Sequence, residues 1–278
     1  MHTLGTSDRP DWPLALVIGA GGMGMAVARR LSQRHRILVA DIDSARVVMA
    51  AETLRTEGGD ASAVVCDITD PISVQNLARE TEKKGGFRVL AHVAGLGPSA
   101  ADYPTIVRVN LAGVALVAAA LLPLATTGTA AILIASLAAH GFSPPEEVDA
   151  VLRDPTHPQL VDRLSAAIGE NQATPQMAYQ LSKYALLAYC RRMASAWGKR
   201  GARIVSLSPG IIATPMGARE FKHSSRKHQM YEQTPLQREG TMLEIADAVE
   251  FLASDRASFI SGTDLLVDGG LFGTLRSR

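Results

Sequence analysis

Cysteine and aromatic side chains are scarce in this chain of 278 residues. The two cysteines, Cys66 and Cys190, are too few for a disulfide framework and fit a reducing compartment, so a cytoplasmic location is expected. Aromatics make up 5% of the residues against 47% apolar, so Ala, Val, Leu and Ile must build the core. That composition suits helices packed on a parallel sheet. Neither sign of charge dominates, since 28 basic and 27 acidic residues leave a net charge of +1. No electrostatic argument therefore favours nucleic acid or a membrane surface as partner. Long apolar runs are missing as well. The longest, Leu111 to Leu122, stops at Pro123, which is short for a bilayer span and reads as a buried helix. Met1 to Pro13 is polar, contains two prolines and lacks an apolar core, so it reads as a flexible tail rather than a secretory signal. The seven histidines show no metal-ligand spacing, and no metal is expected.

What is present is a rhythm. Apolar runs at Leu14–Ile18, Ile37–Ala40, Ala63–Cys66, Val89–Val93, Ala131–Ala135, Arg203–Leu207 and Leu265–Val267 read as strands covered on both faces. Helical patterns fall between them, near 23–33, 44–57, 71–84, 104–125, 176–198 and 242–254. Asp70 followed by Pro71 is a cap with proline at the first helical position. The alternation predicts an α/β fold, a Rossmann-type doubly wound parallel sheet of about seven strands with helices on both faces. With no repeat or linker, one domain over 14–278 is the better reading. One segment, 142–175, breaks the rhythm and carries five prolines. Val148, Val151 and Leu152, and again Leu160, Val161, Leu164 and Ile168, share helical faces, so this insert reads as two short amphipathic helices.

Three groups of residues carry chemistry. Gly19-Ala20-Gly21-Gly22-Met23-Gly24 follows the first strand and opens a helix. Its glycines allow a tight turn and close approach to a pyrophosphate at the helix N-terminus. Asp41 ends the second strand, where a carboxylate accepts hydrogen bonds from the adenosine ribose and repels a 2′-phosphate. This favours NAD, although Arg46 and Arg29 can soften the choice. The competing reading is that Asp41 caps the next helix, a task Asp43 or Ser44 can also perform. Tyr179 and Lys183 are four apart and share a helix face. A lysine ammonium near a phenol favours the phenolate, so such a tyrosine can exchange a proton with an alcohol or carbonyl. Ser136 ends the fifth strand, at the sheet edge where ligands bind, and can orient the reacting oxygen.

These residues resemble the short-chain dehydrogenase/reductase family over Leu14 to Gly270. The resemblance implies that Asp67 and Ile68 contact adenine, with Ile42 in the same cofactor set. Ala94-Gly95 matches the end of the family's Asn-Asn-Ala-Gly. Asn110 matches the asparagine of a proton-relay water. Pro209-Gly210-Ile211-Ile212-Ala213-Thr214 matches the segment that holds the nicotinamide, and Asp268-Gly269-Gly270 the usual C-terminal end. By resemblance the catalytic set is Asn110, Ser136, Tyr179 and Lys183, with Lys183 also gripping the nicotinamide ribose. The glycine turn is one residue shorter than the family's, Ile18 replaces its Thr, and His92-Val93 replaces Asn-Asn. The layout looks most like the bacterial 3α-hydroxysteroid dehydrogenase/carbonyl reductase subgroup.

The expectation is an NAD(H)-dependent oxidoreductase acting on a small secondary alcohol or ketone. The rival reading is a non-catalytic NAD-binding sensor or scaffold. The basic stretch 219–228, with Lys222, His223, Arg226, Lys227 and His228, falls where the family has its substrate lid. Family helices corresponding to 104–125 and 176–198 commonly form a four-helix subunit interface. A homodimer or homotetramer is expected, with the insert altering or blocking that interface and favouring the dimer.

Overall fold

The computed structural model describes residues 12–276 apart from Met216 and 219–224, with 225–227 described as backbone only. The tail expected at the N-terminus therefore lies outside the described residues up to 11, as does most of the basic stretch at 219–228; His228 is exposed.

Seven strands form one parallel sheet in the order β3-β2-β1-β4-β5-β6-β7. They are β1 (Leu14–Ile18), β2 (Arg36–Asp41), β3 (Ala61–Val65), β4 (Val89–His92), β5 (Ala130–Ile134), β6 (Arg203–Pro209) and β7 (Asp264–Val267). The order reverses between β3-β2-β1 and β4-β5-β6, and that switch point places a crevice beyond the C-terminal ends of β1 and β4. All residues of β1 and β5 are buried, as continuous apolar runs covered on both faces should be.

The helices are α1 (Gly22–Leu31), α2 (Ser44–Thr56), α3 (Pro71–Lys83), α4 (Tyr103–Val107), α5 (Val114–Leu121), α6 (Glu146–Leu152), α7 (Leu160–Ile168), α8 (Pro175–Gly198), α9 (Ser225–Glu232), α10 (Met242–Ala253) and α11 (Leu271–Arg276). One core lies between the sheet and α3, α5 and α8; the other lies between it and α1, α2 and α10. Caps set the starts that matter here. Asp70 accepts from the amides of Ile72 at 3.0 Å and Ser73 at 3.3 Å, with Pro71 at the first helical position. Thr174 accepts from the amide of Met177 at 3.2 Å, again followed by a proline, and so starts the helix that carries Tyr179.

The helix expected near 104–125 is present, but its winding is not uniform. The segment read as one helix over 104–125 is α4, a π-helical stretch over Arg108–Gly113, α5 and a final 3-10 turn at Leu122–Leu124. Periodicity of 3.6 cannot register the one-residue widening of a π turn. Together these pieces make an apolar helix of 22 residues, Tyr103–Leu124, which is long enough to cross a bilayer, unlike the run ending at Pro123. Ile106, Val107, Leu111, Val117 and Leu121 are fully buried in the chain's own core, so it is a core helix.

The insert folds as α6 and α7. Val148, Leu152, Leu160 and Leu164 of its apolar faces are buried in the core that includes α8. Asp149 accepts a hydrogen bond from the Tyr184 hydroxyl at 3.3 Å, which ties α6 to α8.

Candidate active site

The glycine turn is built by two different constraints. Gly19 has φ +102°, and a Cβ there would meet the backbone nitrogen of Ala94 at 2.7 Å. A Cβ on Gly24 would lie 1.8 Å from the Gly19 carbonyl oxygen, so the turn and α1 close on each other only with glycine. Gly21 differs. Its φ of −72° suits any residue, and a Cβ would meet nothing within 4 Å. Gly21 and Gly22 are exposed and Met23 is partly buried where α1 opens. A turn that is bare where the protein does not require bareness fits a diphosphate at a helix N-terminus. The residues present therefore fit a dinucleotide.

Asp41 stands beside this turn. Its Oδ2 accepts from the Ala20 amide at 2.7 Å, and its Oδ1 from the Asp43 amide at 3.0 Å and from Arg46 at 3.3 Å. Asp43, not Asp41, caps α2, accepting from the Arg46 amide at 3.0 Å. Arg46 also pairs with the Asp43 carboxylate at 3.1 Å. Ile42 is exposed at the end of β2. Beyond β3, Asp67 holds the amide of Thr69 at 2.8 Å and its hydroxyl at 2.7 Å, while Ile68 is buried against Gly113 of the π turn.

On the other side of the crevice, Ala94 donates its amide to Ile18 at 2.7 Å, which anchors the loop after β4. Asn110 is fully buried in the π turn and holds Leu96 twice. Its Oδ1 accepts from the Leu96 amide at 2.7 Å, and its Nδ2 donates to the Leu96 carbonyl at 2.8 Å. A Cβ on Gly95 would lie 3.3 Å from Asn110 Oδ1 and 3.4 Å from Lys183 Nζ, so glycine brings these two side chains close to the loop.

Lys183 is 4% exposed, and its Nζ donates to the Ile134 carbonyl at 2.8 Å. That Nζ lies 5.9 Å from the centroid of the Tyr179 ring. Burial pushes the ammonium down to about 8 from its ordinary 10.5. Two residues beyond Ile134, Ser136 starts the 3-10 turn Leu137–Ala139, which packs on α8. Its Oγ accepts from the Ala138 amide at 3.2 Å, leaving the hydroxyl hydrogen to donate. Pro209 ends β6, and Gly210 packs so closely on Asp268 that a Cβ would lie 2.6 Å from its Cα. Ile212 pairs with Gly240, and Thr214 accepts from the Gly217 amide at 2.8 Å.

Sequence reasoning missed three members of this neighbourhood. The Ile134 carbonyl is backbone and carries no sequence signal. The pairing of Arg46 with Asp41 depends on a rotamer. His92, noticed only as a departure from a motif, is fully buried beside this group. Among the described residues no cluster of three or more His, Cys, Asp or Glu is placed to hold a metal.

A glycine turn that fits a dinucleotide at the switch point of a parallel sheet, with a tyrosine and a buried lysine one helical turn apart, is the arrangement expected of a nicotinamide-dependent oxidoreductase. A family model described as enoyl-(acyl carrier protein) reductase matches residues 18–153 and 163–272. The short-chain dehydrogenase/reductase bsc3 of Alternaria brassicicola is 32% identical over 92% of this chain and 94% of its own. An L-rhamnose 1-dehydrogenase (NAD(P)(+)) of Azotobacter vinelandii is 30% identical over 94% of this chain and 97% of its own. The crystal structure of gox2181 superposes with a TM-score of 0.78 at 27% identity, over 94% of this chain and 96% of that one. The chain belongs to the short-chain dehydrogenase/reductase family and is an oxidoreductase of that type. Residues 154–162, outside the family model, cover most of the connection between α6 and α7 and the start of α7 within the insert.

Proposed function

We propose that this chain interconverts a secondary alcohol and its ketone with NAD(H), using Tyr179 as the acid/base. The observation that carries this reading is the buried Lys183 ammonium, held by Ile134 at 2.8 Å and lying 5.9 Å from the Tyr179 ring. A buried cation is expensive, and its field on the phenol favours the phenolate. When bound, the nicotinamide supplies or accepts the hydride. The protein moves the proton. Tyr179 Oη takes it from the alcohol or returns it to the carbonyl oxygen, and the Ser136 hydroxyl donates to that oxygen and fixes its position. Lys183 holds the phenolate and grips the nicotinamide ribose. Asn110 fixes the loop at Gly95 and Leu96 and supports the relay of the proton away from Lys183. Gly19 to Gly24, Asp41, Ile42, Asp67, Ile68, Ala94, Gly95 and the segment Pro209 to Thr214 form the cofactor cleft.

NAD rather than NADP is the proposed cofactor. The Asp41 carboxylate already orders the glycine turn through Ala20, so a 2′-phosphate would meet a fixed negative charge. Arg46 is already paired with two carboxylates, which reduces what it can offer a phosphate. The name of the Azotobacter relative includes both cofactors, so the preference is this chain's own and is read from Asp41.

We further place the protein in the cytoplasm, in keeping with two free buried cysteines, as a homodimer. A non-catalytic NAD-binding scaffold has no use for a buried ammonium beside Tyr179. A turnover screen with NAD(H) against a panel of ketones and secondary alcohols tests the proposal. Oxidation or reduction of at least one of them is expected, and cofactor binding without turnover across the panel would favour the scaffold.

A further inference from the structure

His92 ends β4, 1% exposed, with neither ring nitrogen hydrogen-bonded to any other described residue. Its register partners are Ile18 of β1 and Leu133 of β5. By strand alternation it points to the same face as Leu90, which is covered by α4, α5 and α8. Lys183 enters on that face too, bonded to the carbonyl of the residue after Leu133. Burial first, and the Lys183 charge second, push the imidazole down to about 3. It is therefore neutral in any working buffer, with one nitrogen donating and one carrying a lone pair.

Buried polar groups of this kind are paired in folded proteins, by protein or by ordered water. Lys183 has three donors, and Ile134 takes one. The titratable groups buried in or packed against the core on this face include His92 itself, Tyr103 from α4, and Tyr179, Lys183, Tyr189 and Cys190 from α8. β1 and β5 present Ile18 and Leu133, and the π turn presents the neutral Asn110.

We infer that the lone-pair nitrogen of His92 accepts a hydrogen bond from the Lys183 ammonium through a bridging water, making His92 a positioning residue for the Tyr179–Lys183 pair. The inference rests on the acid/base reading above. An acceptor for the ammonium favours its charged form and opposes the effect of burial. Without it, Lys183 loses its proton at lower pH, and the cation that supports the phenolate is lost earlier.

The test uses the intact protein with 15N-labelled lysine and histidine. Lys183 is titrated by NMR, assigned by its loss in Lys183→Met. In His92→Leu its midpoint should fall by about one pH unit, and the alkaline limb of the kcat/KM profile should move down with it. His92→Asn, which keeps an acceptor, should restore most of both. The NMR titration needs no turnover, so the two readings separate. A falling midpoint with an unmoved rate profile upholds the His92 contact and refutes the catalytic role of Lys183. An unmoved midpoint in folded His92→Leu overturns the inference, because a merely structural His92 would lower thermal stability alone. If His92→Leu does not fold, the 15N shift of the unprotonated ring nitrogen in the unmodified protein decides. It should show an accepted hydrogen bond that is lost in Lys183→Met; a lone pair indifferent to Lys183 overturns the inference.

Discussion

Lys183 donates its Nζ to the carbonyl oxygen of Ile134 over 2.8 Å. This bond ties the helix that carries Tyr179 to the end of the strand that leads to Ser136. It also fixes a cation in the core, and that has a cost. Burial sets the ammonium at about 8, against 10.5 in an exposed chain. Between those values the unfolded chain binds a proton that the native state has released, so stability rises with pH across that window. Below it, the buried charge costs on the order of 3 kcal/mol. Lys183→Met should therefore be more stable than the parent near pH 7, with the gap closing toward pH 10. Denaturant melts at several pH values check this. A variant that is less stable at pH 7 would mean the ammonium is better solvated than its 4% exposure suggests.

The glycine turn separates folding from binding. Gly24→Ala places a methyl 1.8 Å from the Gly19 carbonyl and should destabilise the protein by several kcal/mol, on the order of 2–4. Gly21→Ala meets nothing and should change stability by less than about 0.5 kcal/mol. It should still weaken cofactor binding, because the methyl occupies the surface assigned to the diphosphate. Thermal melts with and without NAD distinguish the two. Loss of the NAD-induced shift in Gly21→Ala alone is the expected pattern.

Cofactor choice should turn on Asp41. The parent is expected to bind NAD more tightly than NADP in fluorescence titrations. Asp41→Ser removes the repelling carboxylate and releases Arg46 from one of its partners. The preference should then fall or reverse, by about tenfold or more. Tighter NADP binding by the parent would defeat the argument from Asp41.

Much of this was legible in the sequence because it depends on spacing. Seven apolar runs with turns between them can be covered only by helices on both faces, so the sheet follows from periodicity. The strand ends moved by up to two residues, as at β6, which runs on to Pro209. Apolarity does not say where the last ladder bond falls. Tyr179 and Lys183 were readable because four residues return to one helix face. Asn110 was placed by resemblance, but the π turn that presents it has no periodic signal. The partners of Asp41 and the burial of His92 are tertiary facts. Nothing in a local stretch of sequence distinguishes a histidine at the end of β4 from an exposed one.

The insert bears on assembly. α6 and α7 bury their apolar faces within the chain, and Asp149 binds Tyr184 on α8. With one side of α8 occupied from within, light scattering should show a dimer. Replacing 144–174 by a short Gly/Ser loop should change that state. A tetramer in the intact protein that uses an unaltered four-helix interface would contradict this.

The most direct measurement is steady-state turnover and NAD affinity of Tyr179→Phe. The substitution removes one hydroxyl and leaves the ring, Lys183 and the glycine turn in place. A fall in kcat of about a hundredfold or more, with NAD binding within about threefold of the parent, is the predicted result. A variant that keeps kcat within about tenfold would show that Tyr179 is not the acid/base.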